Sequence, residues 1–191
     1  MKTRARDNAF SSERVDELLP FEPEWLGQTW QGLMQRLVQL DYRAAVVGPH
    51  GSGKSTLLQG LKLRLQEDGV EVVSFFLNED SRSLSEVDWQ RLREAGGKVV
   101  FLDGAEQLDW LRRRRFYALA SHCRGVVVTQ HQASDLPLLI ETQTSLKMLQ
   151  DFVNRLDPTF AQRGICLDTL FQENGGNLRE ALWSCYDLVA S

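Results

Sequence analysis

The chain has 191 residues, 42% of them hydrophobic, and a formal net charge of −4, so it suits one domain or one core with a small appendage. The negative charge argues against a general polyanion binder, and no apolar run approaches the roughly 18 residues of a membrane span. The N-terminus is polar without a signal-peptide pattern, and the three cysteines are widely spaced, so we expect a cytoplasmic protein with reduced thiols.

The first 40 residues predict an N-terminal segment that leads into a helix. Residues 1 to about 20 are polar, and we expect them to be loosely ordered up to Leu18. From Trp25 to Leu40 the apolar residues recur at helical spacing, which predicts an amphipathic helix. The aromatic residues of this stripe are more typical of core packing than of a ligand site.

Residues 48–55 read G-x-x-x-x-G-K-S, the phosphate-binding P-loop, between an apolar strand pattern at 44–47 and a helical pattern at 56–66. Glycines let backbone N–H groups surround phosphates, and the helix N-terminus favours negative charge. Lys54 is expected to reach the β- and γ-phosphates, and the Ser55 hydroxyl to ligate magnesium. No guanine-specific N-K-x-D motif is present, which favours ATP. The predicted Mg-ATP site consists of Gly48, Pro49, His50, Gly51, Ser52, Gly53, Lys54, Ser55 and Thr56.

The rest of the chain alternates strands with helices. A helix is predicted over 84–95 with Val87, Trp89 and Leu92 on its buried face, and residues from 145 onward read as helical. The further predicted strands are 70–77, 99–102, 125–129 and a short 138–140. This alternation predicts an α/β fold with a mostly parallel five-stranded sheet, whose ligands bind at the carboxyl ends of the strands.

Residues 99–103 have the form of a Walker B strand, four apolar residues followed by Asp103, which is expected to hold the magnesium. Glu106 is the nearest candidate for a group that activates the attacking water, and its alternative role is to begin the next helix. Thr129 or Gln130, at the end of the next strand, is expected to orient the water or sense the γ-phosphate. His131 is interpreted as a surface residue.

These motifs together resemble AAA+ ATPases and their STAND relatives over about residues 40 to 190. Residues 175–182, G-G-N-L-R-E-A-L, are similar to the sensor-2 helix of AAA+ lids, where an arginine approaches the γ-phosphate, and Arg179 matches that arginine. Asn177 is also an ordinary N-cap for the same helix. The resemblance implies a P-loop NTPase three-layer sandwich with a small C-terminal helical lid. The implied division is an N-terminal segment at 1–40, an ATPase core at 41–142 and a lid at 143–191.

Two features depart from the common AAA+ pattern. AAA+ proteins usually place the catalytic glutamate directly after the Walker B aspartate, and Gly104 stands there in this chain. The pattern Asp-Gly-x-acid resembles the NACHT-type STAND variant, whose members usually lack the sensor-2 arginine. The predicted lid helices are also short.

Four consecutive arginines, Arg112 to Arg115, interrupt the helix after the Walker B strand. A solvated helix face, contact with nucleic-acid phosphates, and an arginine acting across a subunit boundary are the three readings. The AAA+ resemblance makes Arg124 another candidate for the last role. Nothing reads like a recognition helix or zinc finger, so nucleic acid is weakly supported as a partner.

The sequence thus predicts a cytoplasmic Mg-dependent ATPase of AAA+/STAND type. Because little chain is left for an effector domain, we expect ATP binding and hydrolysis to control self-assembly or contacts with a protein partner. The alternatives are a P-loop kinase for a small metabolite and a nucleotide-dependent binding switch with negligible turnover. The acid at Glu106 argues against the kinase, because it supplies a group that activates water.

Overall fold

The computed structural model describes residues 8–132 and 135–190, which divide into two compact units. The sheet unit comprises Leu26–Gly48 and Gly53–Thr142. The helical unit joins the described residues of Met1–Trp25, Pro49–Ser52 and Gln143–Ser191. The domain boundaries predicted from the sequence stay a prediction.

The sheet unit contains one five-stranded parallel sheet with helices around it, and the predicted α/β fold is thereby confirmed. The strand order is β2-β3-β4-β1-β5. Its strands are β1 (Arg43–Val47), β2 (Val72–Phe76), β3 (Val99–Asp103), β4 (Gly125–Gln130) and β5 (Leu138–Glu141). Its helices are α2 (Trp30–Gln39), α3 (Lys54–Glu67), α4 (Glu86–Arg93) and α5 (Trp110–Ala120).

The register of the sheet brings the ends of three strands to one edge. Val47 at the end of β1 pairs with Gln130 at the end of β4. Leu102, one residue before the end of β3, pairs with Val128 of β4. The residues that follow or end these strands therefore gather at the carboxyl edge of the sheet, where ligands of parallel α/β sheets bind.

One hydrophobic core of the sheet unit packs α4 and α5 on the sheet, with Trp89, Leu92 and Phe116 against Val100 and Leu102. All five of these side chains are at most 3% exposed. The predicted buried face of α4 is confirmed at Trp89 and Leu92 but wrong at Val87, which is 69% exposed. A helix of only eight residues presents one narrow stripe to the core, and Val87 lies outside it.

The helix expected over Trp25 to Leu40 is interrupted in the structure. A 3-10 turn covers Pro23–Leu26, and α2 begins only at Trp30. Gly27 has a φ of +67°, and the Thr29 side chain then accepts the N–H of Gly32 as the N-cap of α2. These two residues end the turn and start a new helix.

The helical unit contains α1 (Ser12–Leu18), α6 (Leu146–Leu156), α7 (Leu167–Glu173) and α8 (Leu178–Ala190). The prediction of loose order up to Leu18 is wrong for the described residues from Asn8 onward, while residues 1–7 lie outside the described part of the chain. Phe10 is 1% exposed, with its ring 5.0 Å from that of Phe160. The Asn8 amide also donates to the Tyr186 carbonyl. These distant contacts hold the segment that carries α1.

Candidate functional site

The sheet unit gathers several predicted site residues at the carboxyl edge of its sheet. Gly48 follows β1, Asp103 ends β3, and Thr129 is the next-to-last residue of β4. We refer to six residues together as the strand-edge cluster: Gly48, Lys54, Asp103, Glu106, Thr129 and His131. Hydrogen bonds join Gly48, Lys54, His131 and Glu106 in one group and Asp103 with Thr129 in another, and the charge of Asp103 acts on Lys54.

Lys54 begins helix α3 directly after Gly53, whose φ of +84° lets the loop turn into the helix. Its side chain is buried, and its ammonium donates to the Gly48 carbonyl at 2.7 Å. Burial lowers the pKa of Lys54, and the nearby charges of Glu106 and Asp103 oppose that effect. Ser55 and Thr56 follow in the first turn of α3 and are partly exposed. The lysine is thus held beside the backbone that a phosphate would approach.

The middle of the phosphate loop, Pro49 to Ser52, belongs to the helical unit. The Ser52 hydroxyl donates to the Pro49 carbonyl at 2.8 Å and closes the turn. Gly51 has a φ of +68°, and a Cβ placed on it would overlap the side-chain oxygen of Asn177. The glycine is therefore required both by its backbone conformation and by the closeness of Asn177.

Asp103 and Thr129 form a hydrogen-bonded pair across β3 and β4. The Thr129 hydroxyl donates to Asp103 Oδ1 at 2.6 Å and accepts the Gly104 N–H at 2.8 Å. Thr129 is 1% exposed. Since a hydroxyl has one proton, this arrangement commits the donor of Thr129 to orienting Asp103. The predicted role of Thr129 toward water or phosphate stays a prediction.

Gly104 explains why the glutamate does not follow the aspartate directly. Its φ is +84°, and an added Cβ would overlap the Leu77 carbonyl oxygen. A side chain at this position is therefore excluded by strain and by space. The chain instead makes a 3-10 turn over Ala105–Gln107, which brings Glu106 to the strand-edge cluster.

His131 joins Glu106 to the phosphate loop. Its Nε2 lies 2.8 Å from Glu106 Oε1, and its Nδ1 lies 3.1 Å from the Gly48 carbonyl oxygen and 3.3 Å from Lys54 Nζ. The interpretation of His131 as a surface residue is wrong, because its side chain is only 24% exposed. Its place immediately after β4 was the available signal, since residues that follow a parallel strand lie at the carboxyl edge of the sheet, where ligands bind.

The second carboxylate oxygen of Glu106 differs from the first in its hydrogen bonding. Oε2 is buried and has no hydrogen-bond partner among the described residues. Leaving a buried carboxylate oxygen unpaired costs free energy unless a water or a ligand completes it. A hydrogen-bond donor beside this oxygen, such as a water, would remove that cost.

A family model described as AAA domain matches residues 16–180, which is most of the chain. The chain belongs to the AAA domain family. The resemblance to AAA+ ATPases that the motifs indicated is thereby confirmed. No curated protein matches the chain.

Two solved structures are similar to this AAA domain. DnaA from Aquifex aeolicus, solved with bound AMPPCP, has a TM-score of 0.54 at 15% identity over 87% of this chain and 62% of that chain. PCH-2 from C. elegans has a TM-score of 0.43 at 16% identity over 72% of this chain and 52% of that chain. The chain thus spans less than two thirds of either protein, and the likeness to DnaA supports the fold alone.

Arg179 of this AAA domain lies in the helical unit, near the start of α8, and is exposed. Its backbone N–H donates to the Asn177 side chain at 3.1 Å, as does that of Glu180 at 3.2 Å. Asn177 is therefore the N-cap of α8 as well as the neighbour of Gly51. Arg179 and the middle of the phosphate loop belong to the same compact unit.

Most of the arginines in the run on α5 have local partners. Arg112 pairs with Asp109, Arg113 donates to the Ala105 carbonyl at 3.4 Å, and Arg115 lies 4.3 Å above the Trp89 ring. Arg124 lies 4.7 Å above the Tyr42 ring and donates to its hydroxyl. These contacts favour the solvated-face reading of the run, because its members point in different directions around the helix.

The strand-edge cluster together with Ser55 offers donors that fit Mg-ATP. A buried lysine beside the glycine loop suits phosphate oxygens, and Ser55 with Asp103 supplies the hard oxygen ligands that magnesium prefers. Among residues 8–132 and 135–190, no three His, Cys, Asp or Glu side chains converge to hold a metal by themselves. No helix in the described ranges has the length and apolar character for a membrane crossing.

Proposed function

We propose that this AAA domain binds Mg-ATP through residues 48–56 and hydrolyses it slowly, with Glu106 as the general base. The observation that carries the proposal is the buried Oε2 of Glu106, which has no hydrogen-bond partner among the described residues, on a side chain that His131 links to Lys54. A base that is desolvated, positioned and still able to accept a proton is the feature that hydrolysis needs and that nucleotide binding alone does not.

Lys54, Ser55 and Asp103 provide the binding half of the mechanism. Lys54 exchanges its bond to the Gly48 carbonyl for phosphate oxygens, whose charge suits its buried ammonium better than a neutral carbonyl does. Asp103, held by the Thr129 hydroxyl, and Ser55 would hold magnesium. Magnesium supplies charge neutralisation at the phosphates.

Glu106 provides the hydrolytic half. Its Oε2 accepts a proton from a water, whose oxygen attacks the γ-phosphorus while the bond to the β–γ bridging oxygen breaks. The products are ADP and inorganic phosphate, and the proton returns to solvent from Glu106. Arg179 is proposed to pair with the γ-phosphate, as the resemblance to sensor-2 helices implies.

The output of the cycle is proposed to be assembly or contact with a protein partner. Asn177 packs on Gly51 and caps α8. A change in the conformation of the loop at Gly51 would therefore move the first residues of that helix. A shift of this kind can alter a surface only if nucleotide favours one of two arrangements of the helix. The proposed partner is therefore a protein, and the simplest candidate is another copy of the chain.

The products of ATP consumption test the proposal and separate its alternatives. We expect ADP and phosphate to form in equal amounts from Mg-ATP without any acceptor. ADP formed only with a metabolite acceptor, and without free phosphate, would indicate a kinase. Binding of the non-hydrolysable analogue AMPPCP with no turnover of ATP over hours would indicate a binding switch.

A further inference from the structure

The ring of His131 touches residues from both halves of the proposed mechanism. Its Nε2 meets Glu106 Oε1 at 2.8 Å on one side. Its Nδ1 meets the Gly48 carbonyl and Lys54 Nζ on the other, at 3.1 and 3.3 Å. The ring is half-buried, so these contacts face little competition from water.

The chemistry of the ring assigns a role to each nitrogen. A carboxylate only accepts, so Nε2 carries the hydrogen that Glu106 receives. In the neutral ring Nδ1 is then an acceptor for the Lys54 ammonium. In the protonated ring Nδ1 donates to the Gly48 carbonyl instead. Both charge states keep the bond to Glu106, and they differ in which part of the phosphate loop the ring holds.

The bond to His131 also distinguishes the two oxygens of Glu106. Oε1 is occupied by the ring, while Oε2 is left buried without a partner among the described residues. Thr129 cannot perform this task, because its single hydroxyl proton goes to Asp103. The ring contacts Glu106 and Lys54, and the charge of Asp103 acts on Lys54.

We propose that His131 is a positioning residue for hydrolysis: it fixes Glu106 through Oε1 so that Oε2 takes the proton of water, and it couples this orientation to Lys54. The inference rests on the proposed ATPase function. When nucleotide binds, Lys54 turns to the phosphate oxygens and Nδ1 loses its contact with the ammonium. The hydrogen bonding of the ring therefore changes when the phosphate loop is occupied. Nucleotide binding and the orientation of the base are thus linked through one side chain.

Matched substitutions separate the two contacts of the ring. The amide nitrogen of His131→Gln reaches the position of Nε2, and that of His131→Asn the position of Nδ1. We expect His131→Ala and His131→Asn to slow single-turnover hydrolysis by roughly tenfold or more, as loss of an orienting partner typically does, with Mg-ATP affinity little changed. His131→Gln is expected to restore most of the rate, because its amide nitrogen keeps the hydrogen bond to Glu106. The exposed His122, changed to Gln, is the control.

A second measurement does not depend on turnover. Nitrogen-15 NMR of the full chain should show a slowly exchanging Nε2–H on His131 that is lost in Glu106→Ala. Adding Mg-AMPPCP should shift the Nδ1 resonance, because Lys54 leaves it.

The outcomes distinguish the inference from the function beneath it. Hydrolysis by His131→Ala at the parent rate, or an Nδ1 resonance that does not respond to AMPPCP whose binding calorimetry detects, overturns the role of His131 and leaves the ATPase intact. A parent chain that binds no Mg-ATP overturns the proposed function itself, and with it the coupling.

Discussion

Gly51 of the phosphate loop lies so close to Asn177, the N-cap of α8, that a Cβ on the glycine would overlap the asparagine side chain. The contact joins residues 126 positions apart in sequence and ties the proposed nucleotide loop to the helix that carries Arg179. It gives the loop and the start of α8 a direct mechanical connection.

Gly51→Ala should therefore destabilise the protein by about 1–3 kcal/mol, because strain at positive φ adds to the overlap with Asn177. Gly69→Ala is the matched control, since its φ of +74° is similar but nothing lies within 4 Å of the added Cβ. Urea unfolding of both variants measures the difference. The double change Gly51→Ala with Asn177→Ala should recover the part of the unfolding free energy that is lost through overlap. If Gly51→Ala and Gly69→Ala lose equal amounts of unfolding free energy, the contact with Asn177 contributes nothing.

Glu106→Gln should leave Mg-ATP bound but slow its hydrolysis by roughly 10²-fold or more, as the loss of a positioned base does. The amide keeps the size of the side chain and removes its ability to take a proton at Oε2. Single-turnover rates measure the effect, with Glu67→Gln as the control because Glu67 is exposed at the end of α3. If Glu106→Gln keeps the parent rate, water is activated by another group.

Much of the sheet unit was predictable because its signals are local. The strand before the loop, the glycine loop itself and α3 follow one another within 25 residues, and apolar runs mark β3 and β4 directly. The position of Asp103 at a strand end follows from the same pattern. The carboxyl edge then gathers these residues whatever the details of the side chains.

The features that sequence reasoning missed depend on contacts between distant residues. The order of the segment at α1 comes from Phe10 against Phe160 and from Asn8 bonding Tyr186, and no local pattern carries that information. The contact of His131 with Glu106 depends on the Ala105–Gln107 turn, which carries Glu106. The glycine before that turn, Gly104, lies so close to the Leu77 carbonyl that no side chain fits there, and this closeness exists only in the folded chain.

Arg179→Ala should weaken binding of ATP analogues more than binding of ADP, because an arginine near the γ-phosphate pairs with charge that only the triphosphate carries. Calorimetric titration with AMPPCP and with ADP gives the two affinities. Arg114→Ala, another exposed arginine, serves as the control. Equal losses for both nucleotides, or none for either, would reject a sensor role for Arg179.

Arg124→Ala tests whether turnover requires a neighbouring copy. The arginine is exposed and stacks on Tyr42, so a role in another subunit requires it to leave that ring. If it completes a neighbour's site, Arg124→Ala should lose turnover and keep nucleotide binding, and specific activity of the parent should rise with protein concentration. The Tyr42→Phe variant keeps the stacking partner and removes the hydroxyl contact.

A mixture of variants decides the assembly question more sharply. Arg124→Ala mixed with Lys54→Ala would regain activity if one copy supplies the intact pocket and the other the intact arginine. A chain that sediments as a monomer under ATP, with turnover independent of concentration and no rescue in the mixture, would contradict self-assembly.

The central claim is that the phosphate loop binds Mg-ATP, and calorimetric titration of the parent chain, Lys54→Ala and Lys62→Ala tests it most directly. Lys54 is a buried cation whose ammonium faces the loop, whereas Lys62 lies further along the same helix. The account predicts saturable Mg-ATP binding by the parent chain and by Lys62→Ala, and a severe loss of affinity in a folded Lys54→Ala. Unchanged affinity in Lys54→Ala, or no binding by the parent chain, would contradict it.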